Sequence, residues 1–363
     1  MIRVGILGAT GAVGQRFVQL LNGHPYFRVT ALAASERSAG KPYAEAAHWM
    51  LDTPMPELVR NLVVQPCTPE LDCDFVFSGL DSSVAGDVEA AYARAGYPVI
   101  SNAKNYRMHP DVPLLIPEVN PDHTALIDRQ QWGGEITTGA LRDDGYIVTN
   151  PNCSVVGLVC ALKPLHDAFG IEALHVVTMQ ALSGAGYPGV ASLDAVANVV
   201  PYIGGEEPKL GEEPGKLLGQ LTTEGIEHVE IRTSATCTRV PVVDGHMEAV
   251  SVRFRTKASA GEAIEAMRAF VSPIDHMTLP SSPDRLLHVF DEDAYPQPRR
   301  HVHREGGMQV SVGRVRDCEL FDVKFVVLSH NTIRGAAGGA ILNAELLRTQ
   351  QRLGAPGERV AVL

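Results

Sequence analysis

The residues best suited to covalent chemistry lie in one short stretch, where Asn-Pro-Asn at positions 150–152 precedes Cys153. Ile147 and Val148 indicate the end of a buried strand, and the Asn-Pro-Asn sequence indicates a turn. Apolar residues then recur at helical spacing, with Ser154 as the expected cap. We therefore expect Cys153 to lie at the first turn of a helix.

A cysteine at that place is suited to act as a nucleophile. Unpaired amide N–H groups and the positive end of the helix dipole favour an anion there, so the pattern predicts a depressed pKa for the Cys153 thiol. A buried structural cysteine is the alternative. The turn and the polar neighbours of Cys153 favour the nucleophile.

The length and composition of the chain limit the classes of protein to which it can belong. The chain has 363 residues, of which 45% are hydrophobic, and this is enough to bury a large core in two domains. The formal net charge of -11 and the absence of a long basic run argue against nucleic acid or an anionic membrane as the main partner. No apolar run reaches the roughly 18 residues needed to span a bilayer, and the N-terminus enters a strand directly. We expect a cytoplasmic globular protein.

The cysteines and histidines have no spacing typical of a metal site. The six cysteines lie at positions 67, 73, 153, 160, 237 and 318, without paired two-residue spacing, so reduced thiols are expected. His301 and His303 are separated by one residue, which predicts a surface strand with two polar positions. We therefore predict no bound metal.

The N-terminal segment has the order strand, glycine loop, helix. Residues 1–7 have an apolar strand pattern, Gly-Ala-Thr-Gly-Ala-Val-Gly follows at 8–14, and Phe17 and Val18 begin an apolar helical face. The G-x-x-G-x-x-G spacing allows a tight turn, a close backbone approach and a helix N-terminus directed at a pyrophosphate. At a first strand-to-helix turn it predicts a dinucleotide site that includes Gly8, Thr10, Gly11, Ala12 and Val13.

The turn after the second strand favours NADP over NAD. A strand at 28–34 ends in Ser35, Glu36, Arg37 and Ser38, about 20 residues after the last glycine, where an NAD site usually has an acid for the ribose hydroxyls. Arg37 with the two serines suits a 2′-phosphate instead, whereas Glu36 leaves NAD open. A solvated loop without specific contacts is the alternative.

Alternating strands and helices predict a parallel, doubly wound sheet in this half of the chain. Further strands are expected at 75–78 and 97–101, with a helix between them. Loops at the carboxyl ends of such strands line the ligand crevice. The crevice candidates are Ser78, Ser82, Ser83, Asn102 and Arg107. Residues 130–144 are interpreted as an exposed excursion without assigned chemistry.

After the Cys153 helix the pattern changes to α+β. Strands are predicted at 175–180, 234–243, 246–255, 308–315 and 321–328, with one clear helix at 260–271. This favours one mixed or antiparallel sheet with helices on one face. We therefore predict an α/β protein with two domains. They are a Rossmann-like dinucleotide domain, residues 1–152 plus 331–363, and an α+β catalytic and oligomerisation domain, residues 153–330.

Over nearly the whole chain, these motifs resemble the aspartate-semialdehyde dehydrogenase family of the archaeal and fungal type. The resemblance depends on residues 8–14, 35–41, 101–107, 150–153, 180–186, 204–209 and 239–246. It implies a glyceraldehyde-phosphate-dehydrogenase-like architecture, in which a thiol attacks an acyl phosphate, phosphate leaves, and NADPH reduces the thioester to an aldehyde. The implied reaction forms L-aspartate 4-semialdehyde from L-aspartyl 4-phosphate, for the biosynthesis of lysine, threonine and methionine.

The resemblance also assigns roles to single residues. Cys153 matches the nucleophile, and His246 matches the acid/base, for which a near-neutral pKa is suitable. Gln180 matches a residue that helps to orient the substrate at the thiol. The positions expected near the nicotinamide are Gly184, Gly186 and Asn331.

Four further residues match substrate-binding positions of the family. Arg239 is expected to bind the α-carboxylate as a bidentate pair, and Glu206 to face the α-ammonium group. Arg107 and Lys209 are expected to hold the phosphate. The Glu-Glu-Pro-Lys spacing is compatible with one helical turn that presents Glu206 and Lys209 on the same side.

Two related activities use the same thiol, histidine and cofactor. An N-acetyl-glutamyl-phosphate reductase acts on an acylated amine and a malonyl-CoA reductase on a substrate without an amine, so Glu206 favours the aspartyl substrate. A catalytically idle NADP-binding protein is a third alternative, which the presence of both Cys153 and His246 argues against. By analogy, we expect a homodimer or homotetramer formed through the sheet of the second domain.

Overall fold

The computed structural model describes residues 1–133 and 145–354. The strands are β1 (Ile2–Leu7), β2 (Phe27–Ala33), β3 (Phe75–Ser78), β4 (Pro98–Ser101), β5 (Tyr146–Thr149), β6 (Ile171–Gln180), β7 (Gln220–Thr222), β8 (Gly225–Glu227), β9 (Arg232–Arg239), β10 (His246–Phe254), β11 (Leu287–Val289), β12 (Val310–Asp317) and β13 (Val323–Ser329). The helices are α1 (Ala12–Leu20), α2 (Tyr43–Ala46), α3 (Glu57–Arg60), α4 (Ser82–Arg94), α5 (Cys153–Phe169), α6 (Ser192–Ala195), α7 (Glu207–Leu217), α8 (Ala260–Ala269), α9 (Pro298–His301) and α10 (Gly338–Thr349). Most of the predicted 130–144 excursion, and residues 355–363 of the predicted first domain, lie outside the described residues.

The first sheet is parallel and doubly wound, as the sequence predicts. Its strand order is β2-β1-β3-β4-β5, and all neighbouring strands run parallel. Every residue of β3, β4 and β5 is buried because helices pack on both faces. The order of the strands reverses between β1 and β3, so the ligand crevice of this topology lies at the carboxyl ends of these two strands.

Two glycines shape the loop between β1 and α1. Gly8 has a φ of 75°, a left-handed conformation that side chains rarely adopt. Gly14 lies so close to this loop that a Cβ there would be 2.2 Å from the Gly8 carbonyl oxygen. Gly11 is the N-cap of α1 and no side chain caps the helix, so its first backbone N–H groups are available to an anion.

The second sheet is mixed, with the strand order β11-β12-β13-β10-β6-β9, which confirms the predicted α+β arrangement. Residues along β10 alternate between buried and more exposed positions. Helices α5, α7 and α8 cover the buried face and share one hydrophobic core with it. Helix α5, which begins with Cys153, therefore starts directly after the first sheet and packs on the second.

Two strand predictions for this half of the chain are wrong. β9 ends at Arg239 rather than at position 243, because Pro241 follows it and has no N–H for a strand ladder. His301 ends the short helix α9 and His303 lies in the turn after it, whereas a surface strand was expected. Pro298 at the first position of α9 has the φ of a helix already fixed, which favours this turn of helix.

Candidate active site

Cys153 and His246 meet where α5 begins and β10 begins. The Sγ atom of Cys153 lies 3.3 Å from Nε2 of His246. Asn152 is the N-cap of α5, since its side-chain oxygen accepts a hydrogen bond from the Ser154 backbone N–H at 3.0 Å. The predicted Ser154 cap is therefore wrong, because Ser154 is already inside the helix and a cap precedes the first helical residue. The predicted position of Cys153 at the first turn is confirmed.

Both reacting groups have pKa values that differ from those expected. Burial, followed by the charge of Glu206, raises the pKa of Cys153 to about 12 and outweighs the nearby cations. Burial and the positive charge of Arg239 lower the pKa of His246 to about 3. These directions are opposite to the expected depressed thiol pKa and do not agree with a near-neutral histidine pKa, because burial disfavours the charged form of each group. The resting pair is a neutral thiol and a neutral imidazole.

Neighbouring strands bring three predicted site residues into one row. Gln180 of β6 pairs with Arg239 of β9, and the register of β6 and β10 places His246 beside Gln180. Arg239 is buried and donates from Nη1 to the Ala181 carbonyl oxygen at 2.8 Å. Within residues 1–133 and 145–354, no carboxylate forms an ion pair with Arg239. Its guanidinium group can therefore donate hydrogen bonds to the carboxylate of a ligand.

Glu206 lies at the centre of a buried network of polar side chains. Its carboxylate accepts hydrogen bonds from Asn152 Nδ2 at 3.1 and 3.0 Å and from Gln180 Nε2 at 3.2 Å. Lys209 Nζ lies 2.5 Å from Glu206 Oε1, one helical turn away, as the spacing predicts. Burial acts to raise the pKa of Glu206, but Lys209 and the two amides hold it below the usual value. Glu206 is therefore a carboxylate beside the thiol.

Sequence reasoning missed two residues that position Arg107. Glu213 accepts a hydrogen bond from Arg107 Nη1 at 2.9 Å and another from the Asn152 backbone N–H at 2.7 Å. Lys216 donates to the carbonyl oxygens of Arg107, His109 and Val112 at 2.7 to 2.8 Å. Both residues lie on α7, of which the sequence indicated only the turn from Glu206 to Lys209. Had the helix been recognised, the spacing of Lys209, Glu213 and Lys216 would have indicated one charged face.

The inner cofactor candidates lie at the carboxyl ends of three strands of the first sheet, in the loops that follow them or in the first turns of the next helices. They are Gly8, Thr10, Gly11, Ala12, Val13, Ser78, Ser82, Ser83 and Asn102. A Cβ at Gly8 would lie 2.7 Å from the Gly79 carbonyl oxygen, so the loops after β1 and β3 touch through their backbones. Asn102 donates from Nδ2 to the Ser78 carbonyl oxygen at 3.2 Å and joins the loop after β4 to them. Together with the uncapped N-terminus of α1, this backbone cradle fits a pyrophosphate.

The outer cofactor candidates are more exposed. Ser35 and Arg37 are exposed in the turn after β2, and Ser38 is half-buried there. The Ser38 backbone N–H donates to the Ser35 carbonyl oxygen at 2.9 Å, which closes the turn. Arg37 therefore presents an exposed guanidinium group on this turn. Gly186 is exposed and has a φ of 69° in the loop that follows β6.

Gly184 and Asn331 lie beside the histidine. A Cβ at Gly184 would be 2.8 Å from His246 Cε1 and 2.8 Å from Arg239 Nη1. Asn331 Oδ1 accepts the Gly245 backbone N–H at 2.9 Å, and Asn331 Nδ2 donates to Ser183 Oγ at 2.8 Å. Asn331 therefore joins the turn before His246 to the glycine-rich loop, in addition to any contact with a nicotinamide.

Two negative findings apply to the part of the chain that the structure describes. It contains no group of three or more His, Cys, Asp and Glu side chains arranged to hold a metal ion. None of its helices is both long enough and apolar enough to cross a membrane.

Comparison with known families and curated proteins gives consistent matches. Residues 3–127 match the family described as semialdehyde dehydrogenase, NAD binding domain, and residues 162–334 match semialdehyde dehydrogenase, dimerisation domain. The aspartate-semialdehyde dehydrogenase of Candida albicans is 48% identical over 360 residues, which cover 96% of this chain and 98% of that protein. The aspartate-semialdehyde dehydrogenase of Archaeoglobus fulgidus is 49% identical over 349 residues, which cover 95% of this chain and 97% of that protein.

Two solved structures share the arrangement of sheets and crevice. The crystal structure of aspartate semialdehyde dehydrogenase with NADP from Candida albicans has a TM-score of 0.89 and 45% identity, and covers 97% of this chain and 100% of that chain. Aspartate semialdehyde dehydrogenase II complexed with ASA from Vibrio cholerae has a TM-score of 0.74 and 27% identity, and covers 96% of this chain and 98% of that chain.

Proposed function

This chain belongs to the aspartate-semialdehyde dehydrogenase family, and from that premise we propose that it reduces L-aspartyl 4-phosphate to L-aspartate 4-semialdehyde with NADPH. The observation that carries the proposal is the 3.3 Å approach of Cys153 Sγ to His246 Nε2. A nucleophile, a polar partner and an arginine that can bind a carboxylate are what acyl transfer from an amino-acid phosphate requires.

The chemical steps depend on the row of residues beside the thiol. Cys153 attacks the acyl carbon, and a thioester forms as phosphate leaves. Gln180 orients the acyl group, and His246 acts as the acid/base beside the thiol. Arg239 binds the α-carboxylate through its unpaired guanidinium nitrogens.

The ion pair between Glu206 and Lys209 matches the two remaining charges of the substrate. Glu206 accepts a hydrogen bond from Lys209 at 2.5 Å. We propose that the substrate ammonium group takes the place of Lys209 at Glu206, while Lys209 and Arg107 bind the phosphate. This exchange keeps every charge paired, which the buried position of Glu206 requires.

The crevice of the first sheet fits NADP, the ligand named in the Candida albicans structure. The loop at residues 8–13 would hold the pyrophosphate, and Arg37 with Ser35 and Ser38 would hold the 2′-phosphate. When bound there, the cofactor supplies a hydride to the thioester carbon.

The proposal is tested by the reverse reaction. We expect NADP reduction that requires both aspartate semialdehyde and inorganic phosphate, and no NADPH oxidation with malonyl-CoA. Cys153→Ala should abolish turnover, whereas the control Cys318→Ala, which changes a partly exposed cysteine elsewhere, should retain it. NADPH oxidation with malonyl-CoA, or turnover by Cys153→Ala, would contradict the proposal.

We also propose a homodimer or homotetramer that forms through the open face of the second sheet. Val326, Ala249 and Val177 lie side by side on three strands of this face, which no helix of the described residues covers. The match of residues 162–334 to a dimerisation domain supports this surface. The domain division at residues 152 and 331 and the cytoplasmic location remain predictions.

A further inference from the structure

Residues Ile333–Ala337 form a single π-helical turn directly before α10, which we call the π turn. The Gly335 N–H donates to the His330 carbonyl oxygen at 2.9 Å, and the Ala337 N–H donates to the Thr332 carbonyl oxygen at 3.2 Å. Each bond reaches back five residues, as in a π helix, and such single turns are rare and frequently lie at functional sites. Here the π turn contacts α5 and the turn that precedes it.

Gly335 is the point at which the π turn touches Cys153. A Cβ at Gly335 would lie 2.9 Å from the Cys153 carbonyl oxygen and 3.0 Å from both Cα and Cβ of Cys153. Rotation of the Cys153 side chain moves none of these atoms, so no change of rotamer relieves the contact. Gly335 does not have a positive φ. The closeness of Cys153, rather than the backbone conformation, is therefore what requires a glycine here.

Arg334 anchors the π turn to the same helix. Its Nη1 and Nη2 atoms donate to the two carboxylate oxygens of Glu118 at 2.6 and 2.8 Å, and both side chains are 1% exposed. Nη2 also donates to the Sγ atom of Cys160 at 3.3 Å, two turns of α5 after Cys153. A bidentate pair between two planar groups has a fixed geometry. The pair therefore sets the position of the π turn relative to α5.

Ala336 is tied to the turn before the nucleophile. Asn150 donates from Nδ2 to the Ala336 carbonyl oxygen at 2.9 Å, and its Oδ1 accepts from Asn343 Nδ2 at 2.5 Å. Residues 334, 335 and 336 thus contact residues 160, 153 and 150, in reverse chain order. The π turn therefore lies against both sides of Cys153 as well as against Cys153 itself.

We propose that the π turn fixes the position of the Cys153 Sγ atom for its attack on the acyl carbon, with Gly335 and Arg334 as positioning residues. Cys153 is the first residue of α5, and the N–H groups of a first helical turn have no partner inside the helix. The helix alone therefore does not hold Cys153, and the π turn supplies the missing constraint. The constraint stands on these contacts, whereas its effect on the rate rests on the proposed function.

Gly335→Ala tests the contact with Cys153. The added methyl group must displace Cys153 or the π turn, and a displacement of about 1 Å in an active site can cost roughly 10²-fold in rate. In the reverse reaction we expect kcat to fall by about this factor, with little change in KM for aspartate semialdehyde or phosphate, because Arg239 and Glu206 lie on other elements. A natural kcat in this variant would overturn the proposal.

Crystal structures of the natural chain and of Gly335→Ala test the position of the thiol without requiring activity. We expect Cys153 Sγ to lie within reach of His246 Nε2 in the natural chain, as the 3.3 Å separation indicates, and out of reach in the variant. The same separation in both proteins would overturn the proposal. If the thiol is displaced but the natural chain does not oxidise aspartate semialdehyde, the proposed function fails and the positioning role stands.

Gly5→Ala is the matched control for a crowded glycine. Gly5 lies in β1, where a Cβ would be 2.8 Å from Cys73 Sγ and 3.0 Å from Val76 Cγ1, in a core cluster that does not include α5. We expect Gly5→Ala to lower the thermal midpoint but to keep the natural kcat and the natural position of the thiol. Equal losses of kcat in the two alanine variants, at equal fractions of folded protein, would indicate a general packing defect and overturn the proposal.

Arg334→Lys tests the anchor, and it carries the test if Gly335→Ala does not fold. Lysine keeps a charge opposite Glu118 but cannot form the bidentate pair. We expect a lower kcat at unchanged KM and a longer separation of the thiol from the histidine. The control is Arg352→Lys, since Arg352 forms a bidentate pair with Asp128 at the surface. If both lysine variants have the same kcat, Arg334 is not a positioning residue.

Discussion

Glu213 and Arg107 form a buried ion pair, with Oε1 and Nη1 2.9 Å apart, although 106 residues of sequence separate them. The second carboxylate oxygen of Glu213 accepts the Asn152 backbone N–H at 2.7 Å, directly before the nucleophile. One side chain of α7 thus fixes both the arginine expected to bind phosphate and the turn that presents Cys153.

Glu213→Gln should therefore impair stability and activity together. The glutamine keeps one acceptor but leaves Arg107 without its counter-charge, and a broken buried pair costs about 3–5 kcal/mol of unfolding free energy. We expect a lower midpoint in urea unfolding and a higher KM for phosphate in the reverse reaction. The control is Glu212→Gln, since Glu212 is the exposed neighbour on the same helix. If the two variants unfold at the same urea concentration, the pair does not contribute as inferred.

Gly184 has no side chain, and Arg239 and His246 occupy the space that a side chain there would fill. A Cβ there would be 2.8 Å from atoms of both side chains, so Gly184→Ala must displace at least one of them. A displacement of about 1 Å in an active site can cost roughly 10²-fold in rate. We expect kcat/KM in the reverse reaction to fall by about this factor, with little change in thermal midpoint.

Gly211 gives the matched control for this substitution. It lies inside α7, and a Cβ there would meet no atom within 4 Å. Gly211→Ala should keep full activity and stabilise the protein by about 0.5–1 kcal/mol, because alanine loses less backbone entropy than glycine in a helix. Equal activities of the two alanine variants would show that the space at Gly184 is not needed.

The sequence predicts the glycine loop after β1 and the position of Cys153 correctly, because the sequence patterns that determine them are local. Gly8 follows a buried strand directly, and the positive φ of 75° found there is what a glycine at a tight strand-to-helix turn allows. Cys153 likewise starts a helix because the Asn-Pro-Asn turn and the apolar period lie within one stretch of chain. Neither inference required knowledge of distant residues.

The sequence-based prediction of the site fails for features that depend on residues distant in the sequence. The raised pKa of Cys153 depends on burial and on Glu206, which lies about fifty residues later in the sequence, whereas only the helix terminus was visible locally. Helix α7 was missed because Pro208 and Pro214 are typical of loops, although Pro208 lies in its first turn, where a proline is tolerated. Its buried face is defined by packing against α5 and the second sheet, which the local sequence does not show.

Glu89 should make stability depend on pH. It is fully buried, accepts a hydrogen bond from Ser101 Oγ at 2.6 Å, and burial raises its pKa from 4.5 to about 7. Because the folded chain holds the proton more tightly than the unfolded chain, this stabilisation is complete below about pH 4.5 and is lost as the pH rises through about 7.

Glu89→Gln removes this dependence. We expect urea unfolding of the variant to become less favourable relative to the natural chain as the pH rises through the same window, since glutamine carries no buried negative charge. Asp87→Asn, at an exposed position of the same helix, serves as the control and should follow the natural chain. Parallel stability curves for Glu89→Gln and the natural chain would contradict the inferred buried proton.

Ala249 lies at the centre of the open face of the second sheet, between Val326 of β13 and Val177 of β6. If this face meets a second copy, Ala249→Arg places a long charged side chain in an apolar contact, and a charge without a partner there is costly. We expect light scattering after size exclusion to give the monomer mass for Ala249→Arg and a dimer or tetramer mass for the natural chain. Leu58→Arg changes another exposed apolar residue, on α3 beside the first sheet, and should leave the mass unchanged. An Ala249→Arg protein with the oligomer mass would place the subunit contact on another surface.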